Sequence, residues 1–211
     1  VHLDFQLLSS FSPILAENLL EQPENTLAIL ENALHNSGLV KYARIRLTSF
    51  PAFMDRNIIS IGTKDVDSMI CVEGVIKSVS ELGVRVVNAR FQCPTCGAIL
   101  SILQIDNVAF REPSRCSCGR KGLFKLYSKE MVDVQEIELL DTRKDNFPQG
   151  KTKVLSSICV ELTEELADSS LIKEGNKVKI YGLVKTEPMR ERGKITNNVK
   201  FILRANNVLP I

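Results

Sequence analysis

The chain has 211 residues, 44% of them hydrophobic and 25% charged, with a formal net charge of +2. This length supports one large domain or two to three small modules with separate cores, and the near-neutral charge neither demands nor excludes a polyanionic partner. No run approaches the roughly 18 apolar residues of a membrane span, and Val1-His2-Leu3-Asp4 lacks the basic and apolar regions of a secretory signal, so an intracellular protein with no membrane role is expected. The start on Val1 and the end on "NNVLPI" are expected of a piece excised from a longer protein.

The first forty residues are helical in pattern. "SPILAENLL" opens with Ser12 as N-cap and Pro13 at the first helical position, and "QPENTLAILENALHNSG" repeats the device with Pro23 and stops at Gly38. Leu27, Leu30, Ala33 and Leu34 then line one core-facing stripe. His35 falls in the last helical turn, where a cation suits the dipole, and His2 falls in a loose terminus; neither is assigned to metal.

From Met69 the texture becomes β. "MICVEGVIKSV" and "VRVVNARFQC" are β-branched runs joined by the turn "SELG", and four more such runs occur at "EMVDVQEIELL", "TKVLSSICVEL", "NKVKIYGLVKT" and "NVKFILRA". Short strands with Gly and Pro turns indicate a small barrel or sandwich. A cysteine-rich segment, Cys93 to Cys118, interrupts the series.

Cys93-Pro94-Thr95-Cys96-Gly97 and Cys116-Ser117-Cys118-Gly119 are separated by eighteen residues. Each is a knuckle in which two thiolates converge on one ion while the glycine lets the backbone turn beneath the sulfurs. Two knuckles make a closed tetrahedral shell with no open position, so the implied zinc is structural. Two disulfides, or a redox C-x-x-C pair, suit an intracellular chain without a surrounding βαβ pattern less well. The module's main apolar content is Leu100, Ile102, Leu103 and Phe110, too little for a self-sufficient core, so metal should supply much of its folding energy. Such ribbons serve nucleic-acid binding, protein contacts, or both. Cys71 and Cys159 lie inside apolar strands and read as buried small hydrophobes.

"DNFPQGKTKV" contains Gly150-Lys151-Thr152, the last letters of a phosphate-binding P-loop. The first glycine of that motif is replaced by Asp145, and the adjoining "KVLSSICVEL" reads as a strand rather than the helix whose N-terminus would hold phosphate. A polar turn between strands is expected. Farther on, "EPMRERGK" punctuates two strands with Pro188 and Gly193 and carries Arg190, Arg192 and Lys194, which would share a face in an extended arm. They reach phosphates from a hairpin tip, or simply solvate a turn that also holds Glu187 and Glu191.

In their order along the chain, these features resemble the N-terminal portion of the minichromosome maintenance (MCM) replicative helicases, most closely the archaeal type. The resemblance runs from "RIRLTSFP" through "IGTKDVDSMICVEGVIKSVSELGVRVVNARFQCPTCG", "FPQGKTK" and "VELTEELADSSLIKEGNKVKIYGLVKT" to the basic hairpin. It implies a mixed, mainly β fold: a helical subdomain over 1–62, a five-stranded OB-fold over 63–91 and 128–211, and a zinc-ribbon insertion over 92–127. It also implies rings of six around DNA, two of which join head to head through their ribbons.

Carried onto this chain, the zinc ligands are Cys93, Cys96, Cys116 and Cys118, with the second knuckle one residue shorter than the usual C-x-x-C. The DNA-binding hairpin falls on Pro188 to Thr196, with Arg190, Arg192 and Lys194 as its cations, and Arg85 matches an arginine that holds single strands on the barrel. A second such arginine falls near Ser156, with Lys151 and Lys153 the nearest cations. The loop with Asp145, Gly150, Lys151 and Lys153 corresponds to one that communicates with the ATPase motor, whose ATP and Mg sites would lie beyond Ile211.

The implied role is a non-catalytic DNA-binding and ring-forming module of an ATP-dependent helicase acting at replication origins and forks, located in the cytoplasm and nucleoid if archaeal. A free-standing OB-fold and zinc-ribbon protein for single strands is the competing reading. It is poorly provisioned with stacking aromatics, since the chain has no Trp and three Tyr.

Overall fold

Asp4 and Ser12 set the start of the fold. The structure, a computed structural model, describes residues 1–38, 40, 44–104, 109–141, 157–191 and 193–211, with the backbone alone at 190, 191, 194 and 195. A short strand β1 (His2–Asp4) leads into α1 (Phe5–Phe11), whose first N–H groups are capped by Asp4 Oδ1, 2.8 Å from Gln6 N and 3.1 Å from Leu7 N. A hydrogen bond from Ser49 and the Leu7 N–H hold the Asp4 carboxyl below its ordinary range. Ser12 then caps α2 (Pro13–Glu21) with Pro13 at its first position, and α3 (Pro23–Asn36) comes next.

The two proline-led helices agree with the sequence expectation. The seven-residue α1 is additional, since it is too short to carry a periodic signal. Leu27, Leu30 and Leu34 pack as expected against a core of Phe5, Leu8, Ala16, Leu19 and Leu47, whereas Ala33 is exposed. His2 corrects the expected loose terminus: it opens β1, which pairs in parallel with β2 (Arg46–Thr48) at Arg46.

The remaining strands are β3 (Met69–Val79), β4 (Gly83–Gln92), β5 (Ile99–Leu103), β6 (Lys125–Asp141), β7 (Ser157–Thr163), β8 (Lys177–Glu191) and β9 (Lys194–Pro210). Hydrogen-bonded neighbours run β3-β8-β9-β7-β6, and β3 pairs again with β6, which closes a five-stranded barrel. Strands β7 and β9 run parallel, while β3 is antiparallel to both its neighbours. Ile70, Val72, Leu139, Val160, Ile180 and Leu203 fill the inside at the period-two spacing of the strands. The fold is therefore mainly β, with an OB-type barrel beside a helical subdomain.

Barrel and helices are joined by side chains that imitate a strand partner. Asn206 accepts from Leu47 N at 2.8 Å and donates to Ile45 O at 2.8 Å, and Asn207 donates to Leu47 O at 2.9 Å. The buried Arg46 guanidinium lies 2.7 Å from Glu165 and 2.9 Å from Asn206 O. These bonds satisfy backbone groups of β2 that β1 leaves open on the other edge.

Two compact units divide the chain: Val1–Glu81 with Gln135–Ile211, and Leu82–Val134. The second takes in β4 as well as the cysteine segment, because β4 pairs with β5 and with the N-terminal half of β6. Its buried centre is Ala89, Phe91, Cys93, Cys116 and Phe124. Leu100 and Ile102 lie against that centre, but Leu103 is 62% exposed and Phe110 46% exposed, which corrects the expected core. Leu103 pairs with the polar Asn88, on the alternate register from the Leu100–Phe91 pair, and this leaves it outside. Among the described residues, no helix is long and apolar enough to cross a membrane.

Gly74 belongs to both ladders of β3, opposite Asp141 and opposite Val178. A Cβ there would collide with the Leu140 carbonyl oxygen and stand 2.8 Å from Leu139 Cγ. Gly74→Ala is therefore expected to destabilise the chain by about 2 kcal/mol, the scale of overpacking against backbone. A denaturant midpoint equal to wild type would contradict the closure at this point.

Candidate metal centre and nucleic-acid interface

Each cysteine knuckle is a miniature hairpin built by its own backbone. In the first, Cys93 N donates to Ala98 O at 2.8 Å and Gly97 N to Cys93 O at 2.9 Å; in the second, Cys116 N donates to Arg120 O at 2.9 Å and Gly119 N to Cys116 O at 3.0 Å. Gly97 and Gly119 have φ of 76° and 91°, the left-handed turn that the glycine in each motif predicts. The two turns bring Cys93 Sγ to 3.7 Å from Cys118 Sγ and Cys96 Sγ to 3.6 Å from Cys116 Sγ, and all four sulfurs lie within 4.8 Å of one another. Sulfurs about 2.3 Å from one tetrahedral ion stand about 3.8 Å apart, so the four fit a single metal, whereas a disulfide needs about 2 Å. The one-residue shortening of the second knuckle leaves this convergence intact.

The thiols titrate as a crowded set. The Cys96 N–H, aided by the Thr95 N–H and opposed by burial, brings the Cys93 thiol down to about 6. The Cys118 N–H lowers Cys116 in the same way. For Cys96 the Ala98 N–H also favours the thiolate, but hydrogen bonds with Cys118, Cys93 and Cys116 outweigh it and push that thiol up to about 12. Four thiolates this close require a cation, and these backbone donors prepare the set to receive one. The donors are invisible as residue types; the glycine after each second cysteine is the one sequence signal for them.

The other two cysteines stand apart from the cluster. Cys71 is fully buried as expected, and burial pushes its thiol up to about 12. Cys159 corrects the expectation: it is only half-buried, and its thiol faces Glu136 Oε2 at 3.6 Å, although burial still raises it to about 11.

The basic hairpin is the outer part of β8 and β9. On the barrel, β8 is flanked by β3 as far as Leu183, and β9 by β7 as far as Ile202. Beyond those points the two strands pair only with each other among the described residues, through Thr186↔Phe201, Glu187↔Lys200 and Pro188↔Val199 to Arg190↔Ile195 and Glu191↔Lys194. At about 3.3 Å per residue this arm is roughly 20 Å long. Gly193, with φ of 79°, turns the chain at its end, as short hairpin loops require.

Arg190 and Lys194 thus sit near the tip on successive rungs of the ladder, and Arg192 lies outside the described residues. Lys200 and Glu187 form a 3.0 Å ion pair on the arm, and Thr196 Oγ1 donates to Met189 O at 3.1 Å.

Arg85 lies on β4 opposite Val132, partly buried, in the second compact unit. The loop with Asp145, Gly150, Lys151 and Lys153, together with Ser156, lies outside the described residues. The next described element after it is β7, a strand rather than the helix that a P-loop needs.

Comparison with known proteins adds a family. The family model described as the MCM OB domain matches residues 57–188. DNA replication licensing factor mcm4-A of Xenopus laevis is 21% identical over 214 residues, which cover 98% of this chain and 24% of the relative. DNA replication licensing factor MCM3 of Oryza sativa subsp. indica is 28% identical over 150 residues, which cover 68% of this chain and 19% of the relative. The chain therefore spans about a quarter or less of these relatives' length. Among solved structures, the crystal structure of the N-terminal domain of an archaeal MCM superposes with a TM-score of 0.81 at 23% identity, covering 100% of this chain and 86% of that one.

The sulfur geometry predicts one divalent ion per chain, to be counted by elemental analysis of the purified protein. Cys116→Ser with Cys118→Ser should abolish it and unfold the cysteine segment while leaving most of the barrel intact. Full metal content in that double variant would contradict the assignment.

Proposed function

The chain belongs to the MCM family and carries its OB domain, and on that premise we propose that it is the DNA-binding, ring-forming N-terminal module of an ATP-dependent replicative helicase. The module itself is non-catalytic. Zinc held by Cys93, Cys96, Cys116 and Cys118 has a structural role, because four thiolates leave it no open position for water or substrate. The motor, with its ATP and Mg, belongs to a part of the parent protein that this chain does not span, in keeping with the small share of each relative that it covers.

The observation that carries this reading is the two-stranded arm, which leaves the barrel and ends in a turn rich in cations. An arm of this kind holds phosphates without reading bases, because backbone contacts supply affinity and little sequence information. Arg190, Arg192 and Lys194 make those contacts, and Arg85 adds one from β4. Copies of the chain assemble as a hexamer or double hexamer around DNA, so weak arms act together through high effective concentration. The loop around Asp145, Gly150, Lys151 and Lys153 reports the state of the DNA to the motor. The protein works inside the cell, at origins and forks.

Replacing Arg190, Arg192 and Lys194 together by alanine should weaken binding to DNA of any sequence. It should also flatten the salt dependence, by about 0.9 in log–log slope for each phosphate no longer neutralised. Stability should move by no more than about 0.5 kcal/mol, since the substitutions lie on an exposed turn. Unchanged affinity and slope in the triple variant would reduce the tip to a solvated turn. The isolated chain is also expected to hydrolyse no ATP; saturable ATP binding abolished by Lys151→Ala would overturn the non-catalytic reading.

A further inference from the structure

Strand β5 is the last strand of its sheet: it pairs with β4, and among the described residues no strand lies beyond it. The ladder fixes which of its backbone groups face β4. Cys93 N donates to Ala98 O at 2.8 Å and Gln104 N to Val87 O at 2.9 Å, at the two ends of a register that includes Phe91↔Leu100 and Ala89↔Ile102. Hydrogen-bonded pairs alternate along antiparallel strands, so Leu100 and Ile102 bond to β4 while Ile99, Ser101 and Leu103 turn their N–H and C=O groups to the open edge. Those groups meet no backbone partner among the described residues.

The side chains leave this edge unguarded. Sheets blunt an exposed edge with charge, proline or a bulge, but "ILSIL" has no charge and no proline, and its pairing with β4 runs without a register shift. Ile99 and Leu103 are 46% and 62% exposed, and Ser101 between them is exposed as well. All three share the sheet face of Gln92, Arg90 and Asn88. An apolar edge of this kind is a template for a further extended segment.

Charge selects the segment. The unit Leu82–Val134 holds eight Lys and Arg against four Asp and Glu, a formal +4, and four thiolates on one divalent ion would offset only part of it. Cations stand along β5 itself: exposed Lys125 follows Gln92 in the row of Ile99, and Arg90, ion-paired with Glu130, lies opposite Ser101. Gln104 places the exposed Arg111 at the end of the strand, donating to its carbonyl at 3.0 Å and accepting from its N–H at 2.7 Å. A second β5 of the same charge would be repelled, whereas an acidic strand would be drawn in.

We propose that the open edge of β5 is a peptide-binding site, which takes an acidic extended segment of another protein as an added strand bonded to Ile99, Ser101 and Leu103. The segment carries apolar residues opposite Ile99 and Leu103, with acids between and beside them. Main-chain bonds supply affinity in such an addition, and the alternate side chains supply selectivity. The site does not rest on the DNA-binding reading.

The test titrates the synthetic peptide Glu-Asp-Val-Thr-Glu-Thr-Val-Asp-Glu, and a counterpart with Lys at every acid, into the purified chain. Metal content and the thermal melt are recorded, and amide exchange is followed residue by residue by NMR. In the free chain Leu100 and Ile102 should exchange slowly, and Ile99, Ser101 and Leu103 rapidly. The acidic peptide should slow those three amides, and the Lys peptide should not. Ser101→Pro removes one outward donor without touching the β4 ladder, and should weaken binding by up to about tenfold, the scale of one backbone hydrogen bond. Ile99→Thr/Leu103→Thr keeps β-branched residues on the strand but removes the apolar contacts, and should also weaken binding. If Ser101→Pro loses its metal, the threonine variant decides. Wild-type affinity in a metal-loaded variant, equal binding of the Lys peptide, binding that leaves the three amides fast, or no binding of the acidic peptide would each overturn the proposal. Slowing of the three amides by higher protein concentration alone would assign the edge to a second copy, and slowing by a mixed-sequence oligonucleotide would assign it to nucleic acid; either also overturns the peptide site.

Discussion

Strand β3 is hydrogen-bonded along both edges, to β8 through Met69–Val75 and to β6 through Gly74–Val79. That double pairing is the constraint on which the first unit depends. It turns five strands into a closed cycle without free edges and encloses an apolar interior. It also explains why two of the strands are so long. β8 has 15 residues and β9 has 17, more than the barrel pairs on their outer edges, and the surplus becomes the arm. The barrel is anchored at one stretch of β9, where Asn206 and Asn207 hold β2, and projects at the other end of the same strand. A stable platform and an exposed limb are thus made from one continuous pair of strands.

The second unit solves a different problem. Its apolar centre of Ala89, Phe91 and Phe124 is small, and two of the four cysteines are part of it. A metal in place of protons on those sulfurs would convert crowded thiols into the strongest cross-link of the unit. The cluster would then stabilise both knuckles.

Much of this was legible in the sequence, for local reasons. Ser12 with Pro13 marks a helix start, and each C-G pair marks a left-handed turn beneath two sulfurs, because capping and φ > 0 are requirements of single residues. β-branched runs marked β3, β4, β6, β7, β8 and β9, whereas the short β1, β2 and β5 carried no such run. Features that sequence patterns did not reveal depend on distant partners. The β3–β6 closure joins residues about sixty positions apart, and Arg44 meets Glu164 across 120 positions. Leu103, expected in the ribbon core, lies outside it because pairing register, not hydrophobicity, decides which side of a strand is covered.

The central claim is that the barrel is a scaffold and that DNA is held by the arm projecting from it. Amide hydrogen exchange of the chain with and without a DNA oligonucleotide tests this directly. The account predicts that DNA slows exchange in the arm, over residues 186–200, while β3, β7 and the barrel-paired halves of β8 and β9 are unchanged. Protection confined to the barrel strands, with the arm exchanging as fast as in the free protein, would contradict it.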